Sequence, residues 1–255
     1  MSLDPAVLAR QLHKARATAR PVAIDSGEIA SIDAAYAVQS QLIELSGSAP
    51  KGWKVAALTA RDQQKFGAGR AVAGALLGDF VYRSGTRLKL SSFIAPLIEC
   101  EIAFVLGASL PARPHPYSRS EVEAAITAVV PVFEFPDSRV ESSAGDLVKL
   151  ADMMNNGALV IGEAMEDWRR LDLTRTAIRL ELDDRLIAEG SSVRILGDPI
   201  LALLALANAY PLPSSLRAGQ IVTTGTCTDP ISVRPGRYLA SFSGLSNVEV
   251  TFTAG

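Results

Sequence analysis

The 255-residue sequence predicts an α+β fold in which a β-rich mixed core follows a helical N-terminal segment. Apolar residues near the N-terminus recur at three- and four-residue steps, which is typical of helices. Beyond Leu88 the apolar spacing changes towards two, which is typical of strands. At roughly 150 residues per domain, the length favours one large domain, with residues 1–50 as the helical segment and residues 51–255 as the core.

The helical segment contains one well-marked helix. Ser31 is a candidate N-cap and Gly47 a candidate end, and the apolar residues between them have helical spacing: Ile32, Ala35, Val38, Leu42 and Leu45. From Gly52 to Gly85 the chain is rich in glycine and alanine and has no sustained period. We expect a strand there, followed by a mobile or lid-like section.

Strand patterns dominate the core. Apolar and acidic residues alternate in a segment that predicts a strand with acids on one face: Ile98, Glu99, Cys100, Glu101, Ile102 and Phe104. Ser120 and Glu123 form a candidate capping box at the start of a helix, and Val129 to Phe135 predicts a buried strand.

The last hundred residues predict further strands and one helix. Asp183 and Asp184 mark a hairpin turn, and Asp198 caps a helix with Pro199 at its first position. The remaining strands are expected at residues 158–161, 178–182, 185–188, 221–223, 238–242 and 248–252.

Composition excludes several classes of function. The chain has 25 Lys plus Arg and 27 Asp plus Glu, a net charge of -2 with no block of like charges, so we expect no nucleic-acid or membrane partner. Cys100 and Cys227 are too few and too far apart for a disulfide framework or a zinc motif. Residues 1–20 lack an apolar signal segment, and the longest apolar run, Ile200 to Ala207, is too short to cross a membrane. We therefore expect a cytoplasmic protein.

Three glutamates are the first candidates for chemistry. Side chains at i and i+2 of a strand project from one face about 7 Å apart, so Glu99 and Glu101 can reach one ion. The alternative is two acids facing water. Glu134 stands between two phenylalanines, where a carboxylate is costly to bury unless it pairs with Arg139 or binds a cation. Three carboxylates with no histidine or cysteine pair nearby favour Mg²⁺ or Mn²⁺ over zinc.

Lys54 and a threonine-rich turn are weaker candidates. A lysine in an apolar strand-like segment either extends to the surface or meets an anion or moves a proton. The hydroxyls and backbone of residues 223–226 offer contacts to a carboxylate. His13 and His115 belong to no Ser-His-acid or Cys-His arrangement, and no phosphate-binding loop motif occurs, so hydrolysis by a histidine-activated nucleophile and nucleotide binding are not expected.

Taken together, these segments resemble the 2-keto-4-pentenoate hydratase and 4-oxalocrotonate decarboxylase family, within the fumarylacetoacetate hydrolase superfamily. The matching segments follow the family's order from about residue 50 to the end of the chain: Gly52-Trp53-Lys54-Val55, Glu99-Cys100-Glu101, Glu134 with Asp137-Ser138-Arg139, Leu150-Ala151-Asp152 with Gly157, Leu196-Gly197-Asp198-Pro199, Ala218-Gly219 with residues 221–225, and Phe242-Ser243-Gly244-Leu245. The resemblance implies mixed, strongly bent β-sheets around a metal, with outer helices and homo-oligomeric assembly.

The resemblance also implies a site. Glu99, Glu101 and Glu134 would bind one Mg²⁺ or Mn²⁺, which chelates the carboxylate and the 2-oxo or 2-enol oxygen of a short dienoic acid. The ion would stabilise the enolate as a Lewis acid, and water would add to the activated distal carbon. Lys54 is the family's matching lysine, which we assign to proton transfer or to stabilising the bound substrate anion.

Two departures from the family pattern affect how far the family's residue roles apply to this chain. Val72 stands where the family's hydratases usually carry an acid in a lid, and Asn155 and Asn156 stand where the family tends to have two serines. We assign Asn155 to catalysis, and Arg70, Asn156 and Thr224 to substrate binding.

Three functions stay open at this point. The first is a hydratase of aromatic meta-cleavage catabolism, acting on a short 2-hydroxydienoate or 2-oxo-enoate. The second is a metal-dependent 2-oxo acid decarboxylase, which needs the same electron sink but no water. The third is a catalytically weak binding or partner subunit, against which the retained acids and Lys54 argue. The expected partners are a small 2-oxo or 2-hydroxy acid, further copies of the chain and an enzyme of the same pathway.

Overall fold

The computed structural model describes residues 4–24, 27, 29–47, 49–141 and 145–255. Its α-helices are α1 (Pro5–Thr18), α2 (Ile32–Ser46), α3 (Ala60–Lys65), α4 (Arg119–Ala125), α5 (Asp146–Ala151) and α6 (Ile200–Ala207). Its strands are β1 (Gly52–Ala56), β2 (Val72–Leu76), β3 (Val81–Arg83), β4 (Thr86–Lys89), β5 (Leu97–Leu106), β6 (Ile126–Pro136), β7 (Asn156–Ile161), β8 (Ala177–Leu182), β9 (Arg185–Ser191), β10 (Ile221–Thr226), β11 (Ile231–Ser232), β12 (Gly236–Phe242) and β13 (Val248–Thr253). Among the described helices, none is both long and apolar enough to cross a membrane.

The strands form two mixed sheets. The larger has the order β2-β1-β10-β5-β6-β7-β3, with β11 paired to β5, and the smaller has the order β4-β13-β12-β8-β9. Neighbours are antiparallel except for the β1–β10, β3–β7 and β4–β13 pairs. Helices and mixed sheets together confirm the predicted α+β class.

An aromatic core joins the two sheets. The ring of Phe252 in β13 lies 5.3 Å from that of Phe135 in β6 and 6.1 Å from that of Tyr238, measured between centroids. Successive side chains of a strand point to opposite faces. Phe133 and Phe135 therefore face this core, while Glu134 between them faces the other side of the larger sheet.

Helix α2 covers the edge of the larger sheet that strand β2 forms. The fully buried Gln39 donates from Nε2 to the Ala73 carbonyl at 3.0 Å and accepts at Oε1 from the Ala75 amide at 3.2 Å. The Tyr36 hydroxyl accepts from the Ala73 amide at 3.1 Å. These side chains take the place of a neighbouring strand, so the edge strand β2 has its outward backbone groups satisfied.

Two sequence predictions in this part of the chain are corrected. Residues 52–85 contain β1, α3, β2 and β3, and Val72 is a fully buried strand residue where a lid was expected. The capping box is formed by Ser118 and Glu121, not by Ser120 and Glu123, because α4 begins at Arg119. The predicted start and end of α2 are confirmed: Ser31 accepts from the Ala34 amide, and Gly47 has φ +70°.

A left-handed turn leads into β7. Met153, Met154 and Asn155 have φ values of 54°, 53° and 60°, a conformation that costs residues with a Cβ roughly 1–2 kcal/mol each. The turn lies directly against β2, because a Cβ added to Gly74 would stand 2.0 Å from the Met153 carbonyl oxygen. Only glycine at residue 74 allows this approach.

Arg139 holds the same turn from the other side. Its Nε donates to Asp152 Oδ1 at 2.8 Å, its Nη2 to the Asp152 carbonyl at 2.8 Å, and its Nη1 to the Asn156 carbonyl at 2.7 Å. Arg139 and Asp152 are each 2% exposed. Because the arginine bonds both ends of the turn, it fixes the strained backbone in place.

We predict that Gly74→Ala lowers the free energy of unfolding by about 3 kcal/mol, because the new methyl group must displace the Met153 backbone. Urea denaturation followed by circular dichroism measures this change. Gly69→Ala is the matched control: a Cβ there meets nothing within 4 Å, so stability should change by less than about 0.5 kcal/mol. Equal effects of the two substitutions would contradict the close packing at residue 74.

Candidate active site

Three carboxylates and one ammonium group converge on the face of the larger sheet opposite the aromatic core. Glu99 and Glu101 lie on β5, and Glu134 of β6 is the direct cross-strand partner of Glu99. One oxygen from each acid lies within 4.8 Å of the others. Lys54 comes from β1, two strands away from β5. Adjacent strands thus bring together residues that are far apart in the sequence.

Lys54 forms a buried ion pair with Glu134. Its Nζ donates to Glu134 Oε2 at 2.7 Å and lies 3.7 Å from Glu99 Oε2. The lysine is 8% exposed and Glu134 is 0% exposed. Of the alternatives that the sequence left open, the surface-directed lysine and the Glu134–Arg139 pair are therefore wrong: Lys54 meets an anion, and Arg139 pairs with Asp152 at 2.8 Å.

Asn156 supplies the second hydrogen bond to Glu134. As the first residue of β7, it donates from Nδ2 to Glu134 Oε1 at 2.8 Å. Each oxygen of this carboxylate thus has one donor, Lys54 on Oε2 and Asn156 on Oε1. Both oxygens keep a further lone pair that can accept a bond from a cation.

A β-bulge in β10 aims a backbone amide at Glu101. The register shifts between Thr223 and Thr226, so one extra residue of β10 stands opposite β5. Gly225 takes φ +104° and donates its N–H to Glu101 Oε2 at 2.8 Å. Glu101 Oε1 and the Thr223 hydroxyl are also buried, and neither has a hydrogen-bond partner among the described residues.

Thr223, not Thr224, lies on the carboxylate face. Thr223 is paired with Lys54 on one side and with Ala103 on the other. The Thr224 hydroxyl donates to the Ile102 carbonyl at 2.7 Å, on the opposite face of the sheet. Because side chains alternate along a strand, an error of one residue reverses the face. The structure does not bring the predicted binding residue Thr224 to the acids.

Arg70 also lies apart from the carboxylates. It stands on the loop between α3 and β2, where its guanidinium donates to the carbonyls of Ala209 and Pro211. Within the described ranges, no hydrogen bond or ion pair joins Arg70 to the three acids. The partners of the Arg70 guanidinium are these two backbone carbonyls instead.

Asn155 stands at the end of the left-handed turn, next to Asn156. Its backbone carbonyl accepts from the Asp137 amide at 2.7 Å. Its side-chain Oδ1 is buried and has no hydrogen-bond partner in the described part of the chain. A buried acceptor without a donor is costly, so this oxygen is available to a bound molecule.

Burial and repulsion set the charge state of the cluster. With all four groups ionised, three carboxylates and one ammonium leave a net charge of -2. Burial, with a smaller contribution from the charge of Glu99, raises the pKa of Glu101 to about 7. Burial raises the pKa of Glu134 above its ordinary value, and the attraction of Lys54 opposes this rise. Burial alone would lower the pKa of Lys54, but the three acids outweigh it and hold that pKa above its usual range.

The donor set fits a divalent cation. Hard ions such as Mg²⁺ and Mn²⁺ prefer carboxylate oxygens, and these three acids offer one within reach of each other. A dication would neutralise the excess negative charge and give Glu101 Oε1 the partner that it lacks. Over the ranges that the structure describes, no other group of three histidine, cysteine or acidic side chains meets the same distances.

The chain is similar in sequence to proteins that are named as enzymes. Over 256 residues the chain is 31% identical to a 2-keto-4-pentenoate hydratase of Burkholderia vietnamiensis (strain G4 / LMG 22486), covering 97% of each protein. It is 29% identical over 194 residues to a 4-oxalocrotonate decarboxylase of Pseudomonas sp, covering 74% of this chain and 73% of that one.

A solved structure and a family model also match the chain. The chain superposes on 4-oxalocrotonate decarboxylase from Pseudomonas putida G7, complexed with magnesium and adipate, with a TM-score of 0.87 over 98% of this chain and 97% of that one. The identity of the pair is 24%, so this match concerns the fold. Residues 76–253 match the model of the fumarylacetoacetate (FAA) hydrolase C-terminal family. The chain therefore belongs to the fumarylacetoacetate hydrolase family.

Proposed function

We propose that the protein is a divalent-metal-dependent hydratase that adds water to a short 2-hydroxydienoate or 2-oxo-enoate. The observation that carries the proposal is the buried cluster of Glu99, Glu101 and Glu134 with Lys54 against it. It is supported by the nearly full-length similarity to a protein named 2-keto-4-pentenoate hydratase. The expected substrate is a small anionic 2-oxo or 2-hydroxy acid.

The three glutamates would hold Mg²⁺ or Mn²⁺, which when bound supplies Lewis-acid stabilisation of the enolate. The chain's own residues must then move protons. Conversion of the dienol to an unsaturated ketone takes a proton from the 2-hydroxyl and adds one to carbon. Lys54, held protonated by its acidic neighbours, fits delivery of a proton or stabilisation of the substrate anion.

The two asparagines fit supporting roles. The Asn156 amide orients Glu134 through its 2.8 Å hydrogen bond. The unpartnered Oδ1 of Asn155 can accept a hydrogen bond from a water molecule or a substrate hydroxyl. An amide donates and accepts hydrogen bonds but does not exchange protons near neutral pH, so Asn155 would position a reactant without acting as its base.

A 2-oxo acid decarboxylase is the second candidate. Buried Val72 leaves β2 without the acid that the family's hydratases usually carry, and a named relative is a 4-oxalocrotonate decarboxylase. Decarboxylation uses the same electron sink at the carboxylate cluster but needs no activated water. The two activities are separated by their products.

We predict that the protein with Mg²⁺ consumes 2-hydroxypenta-2,4-dienoate, seen as loss of ultraviolet absorbance, without forming CO₂. Incubation with 2-oxohex-3-enedioate, followed by CO₂ detection, is the parallel assay. CO₂ release from this second substrate would establish the decarboxylase instead. Absence of turnover with both compounds would contradict both proposals.

We predict that Glu101→Gln weakens Mn²⁺ binding by more than about 100-fold in calorimetry, because losing a ligand costs at least as much as losing an outer partner of one. The metal-free fold should persist, since the substitution removes a buried acid whose pKa is raised to about 7. Exposed Glu166 gives the matched control, Glu166→Gln. Unchanged Mn²⁺ affinity of the Glu101 variant would refute the proposed metal site.

We predict that Lys54→Gln lowers kcat by about 100-fold or more, the usual contribution of a proton-transferring group. Mn²⁺ binding should not weaken, because the ammonium repels a cation and occupies Glu134 Oε2 at 2.7 Å. Exposed Lys51 in the same region provides the control Lys51→Gln. A Lys54 variant with normal kcat and weaker Mn²⁺ binding would show that the lysine only supports the acids.

A further inference from the structure

Arg16 of α1 reaches across to the entrance of β7. Its Nη1 donates to the Gly157 carbonyl at 2.9 Å, and its Nη2 donates to the Asn156 carbonyl. Its guanidinium carbon stands 4.3 Å from the ring centroid of Phe80. The N-terminal helix thus places a fixed cation on two successive peptide groups beside the candidate site.

The contact fixes an orientation as well as a position. A guanidinium is planar, so donors on its two terminal nitrogens set the direction of the two carbonyls that they meet. The Asn156 carbonyl also accepts from Arg139 Nη1 at 2.7 Å. Its two lone pairs are therefore both used, by arginines that come from different parts of the chain.

Asn156 also contacts the carboxylate cluster through its side chain. Asn156 Nδ2 donates to Glu134 Oε1 at 2.8 Å. Asn156 follows three residues with positive φ, so its backbone leaves a strained turn. Without Arg16 the Asn156 carbonyl keeps only the Arg139 donor, so the strained turn is held less firmly and the side-chain amide can shift away from Glu134.

The N-terminal segment is anchored on both sides of this contact. Beyond α1, the Val22 amide donates to the Arg139 carbonyl at 2.9 Å, and Val22 forms an isolated bridge with Val140. At its other end, α1 carries buried Leu8 and Leu12 in the main hydrophobic core. The helix is thus held where Arg16 can act on residues about 140 positions later.

We infer that Arg16 is a positioning residue for the metal-binding carboxylates, acting through the Asn156 carbonyl and the Asn156–Glu134 hydrogen bond. The inference rests on the proposed metal site. It assigns the helical segment a role in the site, to which none of that segment's described residues contributes a carboxylate. A purely structural role would affect folding but not the affinity for a cation.

The test is Mn²⁺ affinity, measured by calorimetry on the full-length protein below its melting temperature. Arg16→Ala should weaken binding by about 10-fold, the effect typical of removing an outer partner of a ligand. Arg16→Lys should lie between this variant and the wild type, because one ammonium cannot hold two carbonyls in the same plane. The lysine variant also tests the inference if Arg16→Ala fails to fold. Arg10→Ala, at an exposed position of the same helix, should bind as the wild type does.

A double-mutant cycle tests whether Arg16 acts on the carboxylates through Asn156. In an Asn156→Ala background, Arg16→Ala should weaken Mn²⁺ binding by less than 2-fold, because the amide that it positions is gone. Independent, multiplying effects would overturn the inference, as would wild-type affinity in Arg16→Ala and Arg16→Lys. Failure of the wild type itself to bind Mn²⁺ would instead refute the proposed metal site, and this inference with it.

Discussion

Buried negative charge is the constraint on which the rest of the structure depends. Glu101 and Glu134 are fully buried, and only Glu99 keeps a side chain that is 14% exposed. Burying carboxylates is costly unless charge and hydrogen bonds compensate. Three other strands of the sheet each supply one compensating group: Lys54 from β1, the Gly225 amide from the bulge of β10, and the Asn156 amide from β7. The strand order of the larger sheet therefore determines the site.

The compensation near β7 depends on backbone strain. Residues 153–155 adopt left-handed conformations that they would not populate alone, and they are held by Gly74 on one side and Arg139 on the other. Arg139 pairs with Asp152, so the cost of burying the guanidinium is offset within the turn that it fixes. Arg139 is thus bonded to both Asp152 and Asn156, and these bonds fix the direction in which the Asn156 amide points.

The sequence predicts those features of the fold and the site that depend only on the spacing of nearby residues. Alternation placed Glu99 and Glu101 on one strand face, and helical spacing placed α2. The same patterns could not show that Glu134 pairs with Lys54, 80 residues away, because that contact depends on the order of strands in the sheet. The sequence pattern does not show which of Thr223 and Thr224 faces the acids, because a bulge and the strand register are not visible in a single sequence. The predicted role of Arg70 in substrate binding follows from the departure of residues 67–74 from the family's lid pattern, and that local comparison cannot show its carbonyl partners, which lie about 140 residues later.

The reactions that the site can catalyse are limited by which of its described groups can exchange a proton near neutral pH. Asn156 contacts Glu134 and Asn155 precedes it in the chain, but neither amide exchanges protons near neutral pH, and the buried Val72 side chain offers no polar atom. The described groups at the cluster that can move a proton are therefore the carboxyls and Lys54. Because the acids keep Lys54 charged, it can give a proton to carbon more readily than it can take one from water. Proton delivery is common to hydration and decarboxylation, so what distinguishes the two is how a water molecule is held. Among the described residues, the Thr223 hydroxyl and the Asn155 Oδ1 are buried oxygens without a hydrogen-bond partner that can accept a bond from water.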